Sequence, residues 1–372
     1  EMTLNHFKPS LFTGLLCLVL FSGCDPDGTD SEIDFDRSAY LQHLGDEIIV
    51  SEYAQMVDLS KELHLACEQL ISDPSESQVV LTREQLKLAY LQWQRVAFFD
   101  FGPASNRALS QTVNSFPTDG NKIELAILNE NWTPGTPTTL DNIGLPALDY
   151  LLNFNESAVE TAQEMADNPL RAAHASRVAE YLTSEVSSVH TAWNGAYLDA
   201  FKASDGVEMG SSMGEVLNAF NRVFEGDVRK NKLGLPSGIS TFTQTPRPDL
   251  VEAPYAAVWS IDLMYEAMVM ADLIYHGNAK TAVNAALGLD DYLNALGDFE
   301  YGAGLNNDIE TQLDIAMESV LSLQDPLALY VTTNQQESFD VYADLQALVV
   351  LWKVDMMSSL GILITYQDND GD

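Results

Sequence analysis

Positive charge, histidine and cysteine are all scarce in this sequence, and each scarcity narrows what the chain does. Eighteen Lys and Arg residues stand against 55 Asp and Glu in 372, a formal net charge of −37. A surface of that sign repels phosphate backbones, which argues against nucleic acid as a partner. It also attracts cations diffusely, although a solvated acidic coat that maintains solubility is the plainer reading. Six histidines are present, and none forms a His-x-x-x-His or His-Glu-x-x-His pattern, so a zinc peptidase of that type is not encoded. No Ser/His/Asp set for nucleophilic catalysis stands out, and the glycines from Gly206 to Gly214 precede no Lys-Ser/Thr pair of a phosphate loop. Alternating strand patterns are nearly missing too, with Ile362-Leu363-Ile364-Thr365-Tyr366 the one serious candidate.

What is present describes a folded, exported chain. Hydrophobic content of 46% with 20% charged residues suits a globular protein long enough for two domains. Lys8 precedes an apolar run from Leu11 to Phe21, too short to span a bilayer but suited to a signal peptide over residues 1–24. Ser22-Gly23 before Cys24 looks like a lipobox, which makes Cys24 the expected lipidation site and the membrane a partner; a signal peptide cleaved nearby without lipid is the alternative. Residues 25–35 are polar and rich in breakers, as expected of a flexible tether. Of three cysteines, Cys17 leaves with the signal and Cys24 carries lipid, so Cys67 has no disulfide partner. Core packing must supply the stability.

Helical periodicity accounts for the rest. Ile49, Tyr53, Met56, Leu63, Cys67 and Leu70 fall on one stripe, as do Leu86, Tyr90, Trp93 and Val96. A longer stripe runs Val178, Leu182, Val186, Val189, Trp193, Tyr197 and Phe201, and others cover 213–224 and 345–360. The expected fold is therefore all-α. Asp73-Pro74-Ser75, Phe101-Gly102-Pro103, Thr133 to Pro137, Leu235-Pro236-Ser237-Gly238 and Thr245 to Pro248 read as loops. A composition shift near Ser204-Asp205-Gly206 suggests two helical bundles, an N-terminal one over 36–205 and a C-terminal one over 206–372.

Ordered short motifs add a resemblance. Trp93-Gln94-Arg95 before Phe101-Gly102-Pro103, Asn114 to Asp119 leading to Lys122-Ile123-Glu124, and Gly144-Leu145-Pro146-Ala147-Leu148-Asp149-Tyr150 follow one another. Leu217-Asn218, Lys232 to Gly238, Val251-Glu252-Ala253-Pro254 and Lys353 to Gly361 continue the series. Taken together they resemble the imelysin family, bacterial envelope proteins once classed as metallopeptidases and linked to iron uptake. The resemblance implies two helical bundles, four-helix-bundle-like, facing each other across a groove near the third motif. Better-known members carry there a His and, three residues on, a Glu, which share a helix face and grip one metal ion. In this chain those positions are Pro146 and Asp149.

Asp149 offers a hard carboxylate, but Pro146 brings no donor atom to join it. A proline in the first helical turn would also place Asp149 where free N–H groups and the helix dipole favour a carboxylate, a purely structural role. Arg95, Asp100, Glu124 and Glu252 stand inside the other motifs and would line a groove with Trp93 and Tyr150 as walls. The competing reading pairs Arg95 with Asp100 or Glu124 to pin helices together. His64, Cys67 and Glu68 lie at helical spacing, yet Cys67 belongs to an apolar stripe; His43 and Asp46 are a similar pair. Asp368 to Asp372 has the flavour of a calcium loop but lacks its closing Glu. The expected function is a lipid-anchored, non-catalytic binding protein that holds iron, another divalent metal or a small ligand in the groove. A metal-dependent peptidase and a structural adaptor in a surface assembly are the alternatives.

Overall fold

The computed structural model describes residues 34–130, 132–278, 286–297 and 301–366. The expectations for the signal peptide, Cys24, residues 25–33 of the tether and the tail from Asp368 lie outside the described residues. The described residues from Asp34 onward form one compact unit. Its helices are α1 (Arg37–His43), α2 (Val50–Ser72), α3 (Glu76–Val96), α4 (Leu109–Val113), α5 (Gly120–Asn129), α6 (Gly144–Asn153), α7 (Ala158–Asp167), α8 (Pro169–Trp193) and α9 (Ala196–Ala203). They continue with α10 (Ser212–Val223), α11 (Leu235–Ser237), α12 (Ser260–His276), α13 (Leu289–Ala295), α14 (Ala303–Ser322), α15 (Leu327–Thr333), α16 (Gln335–Val349) and α17 (Met357–Ser359). Wider π-helical turns carry the chain from α1 to α2, from α10 to α11 and from α16 to α17. No strand occurs among the described residues, so the fold is all-α.

The apolar stripes become the core. Ile49, Tyr53, Met56, Leu63, Cys67 and Leu70 are all buried, and they seat α2 between α3 and α8. Each such side chain contributes roughly 1.5–3 kcal/mol on leaving water. The later helices pack mainly with one another: α14 against α16, α12 against α14, and α16 against the π-helical segment after α10. The contact of α3 with α12 joins the two sets. Helix starts follow local chemistry, with Ser75, Asp119 and Ser211 accepting backbone N–H bonds at the heads of α3, α5 and α10. No described helix is long and apolar enough to cross a membrane.

Three local expectations are corrected. The stripe from Val178 to Phe201 is not one helix, because the chain breaks at Asn194-Gly195 between α8 and α9. The segment Leu235-Pro236-Ser237 continues as a helical turn, Pro236 fitting a position whose N–H needs no partner, and ends at left-handed Gly238. The strand candidate at Ile362–Tyr366 pairs with no strand. Instead the Asn218 amide takes a partner strand's place, donating to the Leu363 carbonyl at 2.9 Å and accepting from the Thr365 N–H at 2.7 Å.

The helix that positions the third motif is enclosed along its whole length, every residue of α6 being buried. Gly144 starts it with φ +73°, and a Cβ there would meet the Val113 carbonyl oxygen at 2.2 Å. At the other end Arg83 donates to the carbonyls of Leu152 and Asn155, each at 2.8 Å, and so closes the helix. Gly144→Ala is expected to destabilise the fold by at least about 1–3 kcal/mol, from left-handed strain and the backbone clash together. Urea unfolding monitored by circular dichroism checks this; an unchanged midpoint would contradict it.

Candidate functional site

Asp149 is buried completely on α6, and its carboxylate does not serve its own helix. It lies beyond the first turn, so the expected role at the helix N-terminus is corrected. Its oxygens instead accept from the backbone N–H groups of Tyr255 (3.1 Å) and Ala256 (3.0 Å), in the segment that leads into α12. Asn153, one turn further along α6, donates a third bond at 3.0 Å. Burial raises the Asp149 pKa to about 7, against the pull of these bonds in the order Tyr255, Asn153, Ala256, while the charge of Glu252 adds to the rise.

Glu252 lies in the same segment and is equally enclosed. It accepts from Asn114 (2.7 Å) and Gln94 (3.1 Å) and forms a buried ion pair with Lys232. The segment between them is therefore tied to α3, to the turn after α4 and to the π-helical stretch after α10. Trp93 stands beside Gln94 at the end of α3 and, with Gln94, Asn114, Arg222, Asp227 and Lys232, lines a cleft of 260 Å³. This cleft runs between the earlier and the later helices. It is small against the ~300–1,000 Å³ of pockets that take drug-sized ligands.

The cleft is polar and bears both signs of charge. Arg222 donates to the Asp100 carboxylate (3.0 Å) and carbonyl (2.7 Å), yet its side chain stays 41% exposed. Asp227 accepts from Asn231 at 2.9 Å, and burial raises its pKa. The Asn114 Oδ1 and the Asp100 Oδ1 are both shut off from solvent without a hydrogen-bond partner. Unsatisfied acceptors beside a cleft call for a donor from outside the chain.

The remaining expected residues sit elsewhere. Arg95 turns away from the cleft and grips Glu52 with two bonds (2.6 and 2.8 Å) and Glu266 with one (2.8 Å). It does pin helices together, α2, α3 and α12, but its partners are not the expected Asp100 and Glu124. Glu124 accepts from Arg171 (2.5 Å) and from the Tyr150 hydroxyl (2.7 Å), and the Tyr150 ring meets Tyr255 edge-on at 5.2 Å. Cys67 is core packing, with a thiol pushed up to about 12 by burial, while Glu68 is exposed. His43 bonds the Gly277 carbonyl and Asp46 pairs with Lys202, so that pair does not meet. Reading the sequence missed Arg222 and Asp227, which lie on the polar side of an apolar stripe and just beyond it. Lys232 opens the motif Lys232 to Gly238, and its sign in so acidic a chain is the available signal.

A metal at the third motif does not fit these residues. Pro146 offers no donor, and both Asp149 oxygens already accept backbone N–H groups, which would have to be left unpaired. The cleft lining has no His or Cys, Ser110 donates to Asp100 and Ser115 to the Gln111 carbonyl. The letters Gly-x-Ser-x-Gly do occur at Gly210 to Gly214, but there Ser212 is the buried first residue of α10, with Ser211 as its cap, and no strand precedes it among the described residues.

Comparison with known proteins places this geometry. A family model described as Imelysin matches residues 49–352. A solved structure described as a candidate iron-regulated protein A precursor from Parabacteroides distasonis ATCC 8503 superposes with a TM-score of 0.70 at 16% identity, covering 86% of this chain and 95% of that one. An imelysin-like protein from Psychrobacter arcticum 273-4 gives 0.69 at 16% identity, with coverages of 89% and 97%. No curated protein matches the sequence significantly.

Asp149→Asn is expected to cost about 1–3 kcal/mol, because an amide nitrogen would face a backbone N–H. The pH dependence has a definite sign. A carboxyl whose folded pKa is raised contributes stability that is fully present below its unfolded value and lost as pH rises through about 7. The margin of the parent protein over Asp149→Asn should therefore shrink from pH 4 to pH 7 and level off above. Urea midpoints across that range measure it; a margin that grows with pH would refute the assignment.

Proposed function

Because the chain belongs to the imelysin family, we propose that it is a non-catalytic binding protein of the bacterial envelope that captures a small zwitterionic molecule, an amino acid or short peptide, in the cleft between its two sets of helices. The observation that carries this is the composition of that cleft. Arg222 is placed for a carboxylate and Asp227 for an ammonium, and the orphan Asn114 Oδ1 asks for a further donor. The small volume keeps the ligand small, and the fixed amides of Gln94 and Asn114 cost little to order on binding.

The relatives' link to iron supports a metal-related role for the family, and the donor chemistry of this chain moves that role away from the third motif. A peptidase would need an activated water or nucleophile, and the committed hydroxyls of Ser110 and Ser115 speak against the second. Leu11 to Phe21 and Ser22-Gly23-Cys24 support export and lipid attachment at Cys24.

A calorimetric panel of amino acids and dipeptides tests the ligand class. Binding by at least one is expected, weakened tenfold or more, about 1.4 kcal/mol or above, by Asp227→Asn and by Asn114→Ala. Indifference to the whole panel, or chelator-sensitive cleavage of denatured protein substrates, would overturn the reading; so would a transition ion whose binding disappears in Asp149→Ala. Separately, Cys24→Ser should abolish incorporation of labelled palmitate in a bacterial host. Labelling that survives the change would place the lipid elsewhere.

A further inference from the structure

Among the later helices, three groups that the cleft does not use meet at one point. His276 closes α12, Asp290 lies in the first turn of α13 and Glu310 sits midway along α14. One donor atom from each lies within 4.8 Å of the other two. His276 Nε2 is 2.6 Å from Glu310 Oε1. Its Nδ1 is 2.9 Å from the Asp272 carbonyl and 3.2 Å from the Asp272 carboxylate. Nδ1 donates to Asp272, as metal-binding imidazoles generally do with their second nitrogen, and Nε2, turned toward Glu310 and Asp290, donates to Glu310; a cation seated there would displace the Nε2 proton.

Two independent observations point to a missing occupant. Asp290 Oδ1 is closed off from solvent and has no hydrogen-bond partner. It rests against the bare Cα of Gly288, where a Cβ would come within 2.2 Å of it. The Tyr40 hydroxyl is also fully buried and without a partner. Burial first, and then the charge of nearby Asp290, hold it un-ionised. Both atoms are unsatisfied, and the Tyr40 hydroxyl feels the Asp290 charge, so an ion with its water would serve this region.

We propose that His276 Nε2, Asp290 Oδ1 and Glu310 Oε1 form a binding site for a divalent first-row transition cation, Mn²⁺, Fe²⁺ or Zn²⁺, with water completing its coordination. One imidazole and two carboxylates suit these ions. Ca²⁺ takes roughly 6–8 oxygens and Cu⁺ prefers sulfur, so neither is matched. The Glu310 side chain is 33% exposed, which leaves an edge through which the ion enters. The site stands apart from the cleft and does not rest on the reading given to it.

The test is calorimetric titration of the whole protein with Zn²⁺ and then Mn²⁺, in about 0.5 M NaCl to suppress diffuse binding to the acidic surface. One saturable site is expected, with at least tenfold weaker affinity in Asp290→Asn and in Glu310→Gln and no change in His64→Gln. Circular dichroism establishes that each variant is folded. In a parallel NMR experiment Mn²⁺ should broaden the His276 ring resonances before those of His64 or His174, and not in Asp290→Asn. No saturable binding by the parent protein, or parental affinity in both folded carboxylate variants, overturns the proposal.

Discussion

The clasp between the Asp149 carboxylate and the N–H groups of Tyr255 and Ala256 is the constraint on which the rest of the architecture depends. It reaches from a fully enclosed helix of the first half to the segment that launches α12 in the second. Two backbone donors fix the height and direction of that segment, which a contact between side chains would leave looser. Glu252 is thereby delivered to Asn114, Gln94 and Lys232, and the cleft receives its walls. Carrying a carboxylate into the interior is costly, and the raised pKa of Asp149 reflects that cost. Its three hydrogen bonds offset part of it.

Charge is divided between inside and outside in an economical way. Only 18 basic residues exist, and many of them are placed against buried or half-buried acids rather than on the surface. Arg95 holds Glu52 and Glu266, Arg171 holds Glu124 and Glu164, Arg222 holds Asp100, Lys232 holds Glu252 and Lys353 holds Glu225. The acidic excess is left for the solvent-facing side, where it maintains solubility. Most of these pairs join elements distant in sequence, and breaking the enclosed Lys232–Glu252 pair would leave an uncompensated charge in low dielectric. The same economy explains why the motif carboxylates are occupied by protein groups.

Family membership and local chemistry carry different information here. The third motif is tied through Asp149 to the segment that leads into α12. Proline in place of a donor, and aspartate drawn into backbone bonds, turn that motif from a place to hold an ion into a structural joint. The polar groups left unsatisfied then become the informative ones. Asn114 lines the cleft, Asp100 is bonded to its Arg222, and Asp290 stands with the His276 imidazole.

Helix periodicity by itself determined the fold class and most of the core, because a stripe at three- and four-residue steps buries the same atoms whatever the partner is. Val178 to Trp193 is an instance, and so is the continuation of 345–360 as helix and π-helical turns to Leu360. The break at Asn194-Gly195 escaped this reading although Asn-Gly is a turn signal, because the apolar stripe runs on across it, and Asn218 shows a side chain standing in for a strand that alternation alone suggested. Only the tertiary structure decided the partners of charge. Arg95 finds Glu52 and Glu266 rather than Asp100, and His276 finds Asp290 and Glu310 across loops and helices with no fixed spacing. Hydrophobic burial is governed by position along one helix, whereas a site is made where several helices converge, and that convergence is a property of the packed chain.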